Sequence, residues 1–286
     1  MELRVTQGGI VRLPEGLTHL QLDQVRTLLT YNDSGKNYEY LRFKRFGARY
    51  CRTAEEFKAK ADALKNQVKQ NILFKDEEGF WTYSGLAQTI ADVLKIPVVS
   101  EVVYSKAQGM NWNQDKTHWP FQVEAAQKLI EAKHGGVSIG TGLGKSTIIA
   151  MLVKHFGLLT VVMTPSTSIS EQLYEEFVTL FGKKLVGRLY DGHKDVNRQI
   201  VIANGQSLTR IEPDSEIGQI LSNAEVFIAD ESHQTPAATF EKVCLGLFIN
   251  TPYRFFFSAT QLRGDGKGIV LDGITGPIVY DKTVKE

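Results

Sequence analysis

From residue 136 the chain reads Gly-Val-Ser-Ile-Gly-Thr-Gly-Leu-Gly-Lys-Ser, an apolar stretch that breaks into a glycine loop and restarts in helix-forming residues. A strand must end there, a turn with free backbone N–H groups must follow, and a helix must begin at once. Without a Cβ, Gly140, Gly142 and Gly144 let the backbone aim its N–H groups at one concave point. The helix starting near Lys145 adds the positive end of its dipole, which makes the segment a polyphosphate cradle. The implied ligand is a nucleoside triphosphate, held by Thr141, Gly142, Leu143, Gly144, Lys145, Ser146 and Thr147. Lys145 offers a mobile ammonium to the outer phosphates and Ser146 a hydroxyl to Mg²⁺. The loop departs from the strict Gly-x-x-x-x-Gly-Lys-Ser/Thr pattern, because Ile139 stands at its first glycine position. The bland alternative is a glycine-rich strand-to-helix turn with a solvated lysine.

A loop of this kind needs a parallel sheet behind it, and the sequence supplies one. Apolar runs at 136–139, 159–163, 199–203, 225–229 and 253–257 alternate with helix-patterned segments, the signature of β-α units in a doubly wound α/β fold. Their near-continuous Val, Ile and Phe content suits strands covered on both faces. Ile169, Leu173, Phe177 and Leu180 repeat at helical spacing, with Ser168 or Ser170 as candidate caps. The first hundred residues read as a small α+β region. Strand-like pieces at 9–13 and 38–46 precede a helix from 53 to about 70, with Thr53 and Glu56 as a capping-box pair and Phe57, Ala61, Leu64 and Val68 as its apolar stripe. A second helix is expected over 84–94. The expected division is an accessory region at 1–100, a linker at 101–117 and the α/β lobe at 118–286.

With 42% hydrophobic residues in 286, such a chain can bury two cores. The net charge of +1 excludes a uniformly basic binder, so any nucleic-acid surface must be local. One candidate is the stretch 36–69, where ten Lys or Arg face four Asp or Glu and are interleaved with Tyr38, Tyr40, Phe43, Phe46 and Tyr50. Aromatics there could stack on bases or could equally be core beneath a solvated basic face. Cys51 and Cys244 are isolated and the N-terminus has no signal-peptide pattern, which points to a reducing compartment, the cytoplasm. No run approaches bilayer-spanning length, so no membrane partner is expected. His118 and His134 have no metal-spaced companions and read as loop histidines.

Chemistry is expected where other strands end. Asp230-Glu231-Ser232-His233 follows the run at 225–229, and strand ends in an open parallel sheet face the ligand crevice. Asp230 would hold Mg²⁺, Glu231 would polarise the attacking water, and His233 would sit near the γ-phosphate. Ser258-Ala259-Thr260 follows the next run, with hydroxyls able to bond to the acidic turn.

In that order, residues 140–146, 230–233 and 258–260 resemble motifs I, II and III of superfamily 2 helicases and translocases, whose first motor lobe is RecA-like. The resemblance implies adenine recognition by Gln122, in the stretch Trp119-Pro120-Phe121-Gln122, and ATP with Mg²⁺ as cofactors. It implies coupling of nucleotide state through His233, Ser258 and Thr260. Thr164-Pro165-Ser166 is similar to motif Ia, and Gln206 and Ser207 lie in a segment similar to motif Ib, both implying contacts to a nucleic-acid backbone. Residues 258–266, which include Arg263, resemble a DNA-directed form of motif III, with Gln261 in place of proline. The N-terminal size, the segment 85–90 and the Trp119 entry resemble phage recombination helicases of the UvsW type, which drive branch migration. The implied partner is branched or forked DNA. The sequence contains no Gln-x-x-Gly-Arg-x-x-Arg element, so the arginines of a second motor lobe are missing and this chain alone is expected to bind ATP but hydrolyse it weakly. Rival readings are a motor subunit of a restriction or repair complex, and a non-hydrolysing nucleotide-responsive nucleic-acid binder. Oligomeric state stays open.

Overall fold

The computed structural model describes residues 1–113, 118–259 and 268–282. Its N-terminal strands are short: β1 (Leu3–Val5), β2 (Ile10–Arg12), β3 (Thr30–Asn32), β4 (Lys69–Asn71), β5 (Phe74–Asp76), β6 (Gly79–Tyr83) and β7 (Val98–Ser100). One sheet runs in the order β5-β6-β2-β1-β7, antiparallel except where β1 meets β7. β3 and β4 pair with each other. The N-terminal helices are α1 (His19–Leu28), α2 (Ser34–Phe46), α3 (Ala54–Asn66) and α4 (Ala87–Leu94). α2 and α3 lie between β3 and β4 in sequence and pack on one another, with Phe43 and Phe57 stacked at 5.4 Å.

The structure corrects several sequence expectations here. Residues 38–46 are helix, not strand. Asp33 caps that helix, its carboxylate accepting from Lys36 N at 3.1 Å. The aromatic alternation was misleading because no neighbouring strand buries it, and Tyr38 is 67% exposed. α3 ends at Asn66 rather than near 70, because residues 69–71 are taken into β4. Thr53 caps it, but Glu56 reaches back to the N–H of Arg52, one residue earlier than a capping box requires. Between 84 and 86 the chain forms a 3₁₀ turn before α4 begins. Residues 101–113, expected as a linker, lie strapped to the rest: Gln108 N donates to Phe156 O, Asn113 N to Leu180 O, and Tyr104 packs on Tyr253.

Among the described residues the second sheet has seven parallel strands: β8 (His134–Ile139), β9 (Thr160–Thr164), β10 (Val186–Leu189), β11 (Ile200–Asn204), β12 (Val226–Ala229), β13 (Tyr253–Ser258) and β14 (Ile278–Lys282), ordered β10-β11-β9-β12-β13-β8-β14. Five of them match the apolar runs read from sequence, with ends shifted by a residue or two. The edge strands β10 and β14 were not anticipated. Helices α5 (Pro120–Ala132), α6 (Lys145–Phe156), α7 (Thr167–Phe181), α8 (Gly205–Leu208), α9 (Glu216–Ser222), α10 (Ala237–Lys242) and α11 (Gly268–Thr275) connect them. Ser166, not Ser168 or Ser170, caps α7. This is a RecA-like α/β fold.

Successive strand residues point to opposite faces, and the core divides accordingly. Ile200, Ile202, Val226, Ile228, Phe255 and Phe257 join Ile148, Leu152 and Phe177 beneath α5, α6 and α7. Their neighbours Val201, Ala203, Phe227, Ala229 and Phe256 join a second cluster that also contains Leu3, Val11, Tyr83, Leu86 and Ile90. The N-terminal region therefore covers one face of the parallel sheet. Close approach is enforced at Gly85, where a Cβ would collide with the backbone oxygen of Asp272. Tyr83 is 1% exposed and its hydroxyl donates to Glu241 at 2.8 Å. Among the described residues no helix is long and apolar enough to cross a membrane.

Candidate active site

β8 ends at Ile139, whose side chain is wholly buried and whose backbone keeps negative φ. That is why isoleucine can stand where the strict pattern has glycine: the chain turns later. Gly142 and Gly144 make the turn in the left-handed region, at φ 81° and 73°. A Cβ on Gly142 would meet nothing within 4 Å, so the backbone there is open to an approaching group. The loop is braced from behind. Leu143 N donates to Gly140 O at 3.3 Å, and Gly140 N donates to Lys282 O on β14 at 3.2 Å.

Lys145 opens α6 and is 8% exposed, with Nζ 2.7 Å from Glu231 Oε1 and 3.4 Å from the Ile139 carbonyl it donates to. Glu231 reaches the loop because its own backbone is left-handed, at φ 48° and ψ 45°. For a residue with a Cβ that conformation costs about 1 kcal/mol or more, a strain that clusters at functional sites. Asp230 ends β12 with its N–H donating to Met163 O, and its Oδ1 accepts from Glu231 N at 2.9 Å. Burial, and then the charge of Glu231, push its carboxyl up to about 6, while Lys145 pulls it down. Ser146 Oγ donates to Glu176 Oε1 on α7 at 3.1 Å. Glu176 was missed by sequence reasoning, although Ile169, Gln172 and Glu176 share one helical face and all three line the cleft.

Thr141, Gly142, Lys145, Ser146, Asp230 and Glu231 enclose a cleft of about 350 Å³ at the carboxyl ends of the strands. Its donors suit a polyphosphate: backbone N–H groups, one ammonium and one hydroxyl. Among the described residues no group of three or more His, Cys, Asp or Glu could form a metal cage. The cleft instead offers single oxygens, Ser146 Oγ and the Asp230 carboxylate, which fits an Mg²⁺ that keeps waters and phosphate oxygens as its other ligands.

The remaining expected residues divide. Gln122 is buried against the loop, its Nε2 donating to Leu143 O at 3.2 Å and its Oε1 accepting from Trp119 N at 3.1 Å. Both ends of its amide are thus engaged within the chain, and it braces the loop from outside the cleft lining. Thr147 N donates to Gly144 O in the first turn of α6. Ser258 is buried at the end of β13, in register with Ser138. Thr260 and Arg263 lie outside the described residues, as does the His233 side chain. Thr164 is wholly buried, its hydroxyl 2.6 Å from Ser170 Oγ, so it shapes its turn and does not present an outward contact. Pro165 and Ser166 are half-buried at the start of α7, Gln206 is exposed, and Ser207 N donates to Asn204 Oδ1. Asn204 Nδ2 reaches Thr167 Oγ1 at 3.2 Å, tying these two strand-end turns together.

A parallel sheet carrying a glycine loop, a buried lysine and an acidic turn on its carboxyl edge is the nucleotide-binding lobe of a P-loop protein. Residues 115–263, slightly more than half the chain, match the family described as "Type III restriction enzyme, res subunit". The chain belongs to that family, and with it to the superfamily 2 helicases and translocases. Its sequence is 29% identical over 168 residues to the DNA 3'-5' translocase XPB2 of Sulfurisphaera tokodaii, an alignment covering 58% of this chain and 36% of that protein. The chain thus spans about a third of that curated relative's length. The structure resembles the UvsW helicase from bacteriophage T4, with a TM-score of 0.71 at 16% identity over 98% of this chain and 100% of that one. A second structure of T4 UvsW gives 0.69 at 17% identity, with 98% and 57% covered. At such identities the likeness is one of fold.

Proposed function

We propose that this chain carries the ATP-binding lobe of a DNA translocase that remodels branched or forked DNA, as in branch migration. The observation that carries the reading is the Lys145–Glu231 pair at 2.7 Å, set beside Ser146 and Asp230 in one cleft. In the proposed cycle the loop N–H groups bind the phosphates and Lys145 exchanges Glu231 for a phosphate oxygen. The carboxylate so released accepts a proton from the attacking water. Ser146 and Asp230 would hold Mg²⁺, which when bound supplies charge neutralisation at the phosphates. Glu176 orients the Ser146 hydroxyl. Full turnover belongs to an assembled motor, because arginines facing the cleft from a second lobe raise phosphoryl-transfer rates by roughly 10³–10⁵.

Residues 1–100 are proposed as the DNA-engaging accessory region, with α2 and α3 as its basic surface. The relative named a DNA 3'-5' translocase supports DNA as the track. The family description also favours a second reading, the motor subunit of a restriction or repair complex. The test is ATP hydrolysis by the whole protein with forked and with linear duplex DNA. Faster hydrolysis on forks, abolished by Glu231→Gln while ATP binding persists, is expected. Equal rates on both DNAs with a partner nuclease required would favour the second reading, and DNA-independent hydrolysis would overturn both.

A further inference from the structure

Arg254, the second residue of β13, is 3% exposed and plays no part in the nucleotide cleft. Its Nε donates to Thr251 O at 3.0 Å, and its Nη2 donates to Phe248 O at 2.7 Å and to Ile249 O at 3.1 Å. All these acceptors are neutral carbonyls, and among the described residues no carboxylate forms an ion pair with it. A desolvated guanidinium is costly unless a negative charge accompanies it. Nη1 lies against Gly9, where a Cβ would collide with it, so the N-terminal region closes directly over the charge.

Beside this guanidinium is a cavity of about 90 Å³ between the N-terminal region and β13, lined by Gly9, Ser84, Tyr104, His134, Thr251 and Arg254. Nothing among these groups compensates the charge. Burial and the Arg254 charge hold His134 down to about 4, so its ring is neutral and adds no charge. Burial pushes the Tyr104 hydroxyl and the neighbouring Cys244 thiol up, so both stay protonated. The Lys133 ammonium over the Tyr104 ring, 4.3 Å from its centroid, adds a second positive charge nearby. Ser84 is 8% exposed, and its Oγ is buried without a hydrogen-bond partner.

We propose that this cavity binds a small inorganic anion of chloride size, held by Arg254 and Ser84, which pins the N-terminal region to the lobe. Roughly 30 Å³ is one water's share of liquid volume, so the space admits a halide with a water.

The test is thermal unfolding of the full chain in chloride, bromide and gluconate salts at equal ionic strength, with bromide located by anomalous scattering in crystals. A Tm about 3 °C higher in either halide than in gluconate is expected. A bromide peak at hydrogen-bonding distance from Arg254 is expected with it. Arg254→Met should erase the halide-dependent rise. Should that variant fail to fold, Ser84→Ala, which removes one hydroxyl, should reduce the rise while leaving the gluconate Tm unchanged. The same Tm in all three salts would overturn the proposal. A rise that both variants retain in full, or bromide only at the phosphate loop, would overturn it equally.

Discussion

The two sheets of this molecule reach stability by different routes. In the seven-stranded sheet every strand from β8 to β13 has four to six residues, nearly all buried, because helices or the N-terminal region cover both faces. In the five-stranded sheet four of the strands have only three residues, and its buried apolar side chains belong to the same cluster as the lobe face beneath it. The lobe is held by its own core, and the N-terminal sheet by docking. Beyond that sheet, α2 and α3 contain no buried residue, and they rest on one another. The contrast sets a cleft carried by a self-cored lobe against a helix pair with no buried residue.

Deleting a side chain at the centre of the lobe should have the largest effect. Phe227 is wholly buried and stacked on Phe248 at 4.7 Å. Phe227→Ala should lower unfolding stability by about 3–5 kcal/mol, read by chemical denaturation. A loss as small as that of an N-terminal surface variant would break the contrast.

Next is pH, acting where the two regions meet. His134 donates from Nε2 to Ile274 O at 3.1 Å, and burial together with Arg254 holds it at about 4 against an ordinary 6.5. The folded value lies below the unfolded one. Its contribution is therefore fully present above pH 6.5 and is lost as pH falls from 6.5 toward 4, by up to about 3 kcal/mol. His134→Gln should flatten this acid limb in a series of denaturation curves.

Gly85→Ala sharpens the docking claim, since the new Cβ meets the Asp272 carbonyl. A loss of about 1–3 kcal/mol is expected, with proteolysis of the N-terminal region outpacing that of the lobe. Uniform proteolysis would show one cooperative unit instead. Smallest is Phe57→Ala in the α2–α3 pair, expected to cost about 1 kcal/mol by removing its stack on Phe43.

The same contrast decides what could be read from the sequence. The runs at 199–203 and 225–229 were legible because strands covered on both faces are continuously apolar, and the glycine loop because its turn needs positive φ at Gly142 and Gly144. Tyr38 and Tyr40 misled because an exposed helix has no core to impose its period. β10 and β14 escaped notice as edge strands, where Gly187, Arg188 and Asp281 interrupt the apolar pattern. At the site, Lys145 opens the helix after the glycine loop and Asp230 and Glu231 directly follow a strand, places that sequence order reveals. Glu176 and Arg254 act through contacts that only the folded chain makes. Gln122 was singled out only through the family resemblance, and its bonds to Leu143 and Trp119 were not foreseeable.

The central claim is that the cleft at Lys145 binds a nucleoside triphosphate, and calorimetric titration with Mg²⁺–ATP tests it most directly. The wild-type chain should bind one equivalent. Lys145→Ala, folded by circular dichroism, should bind roughly 10- to 100-fold more weakly, the loss of a charge-assisted hydrogen bond. Unchanged affinity in Lys145→Ala, or no binding by the wild type, would contradict the account.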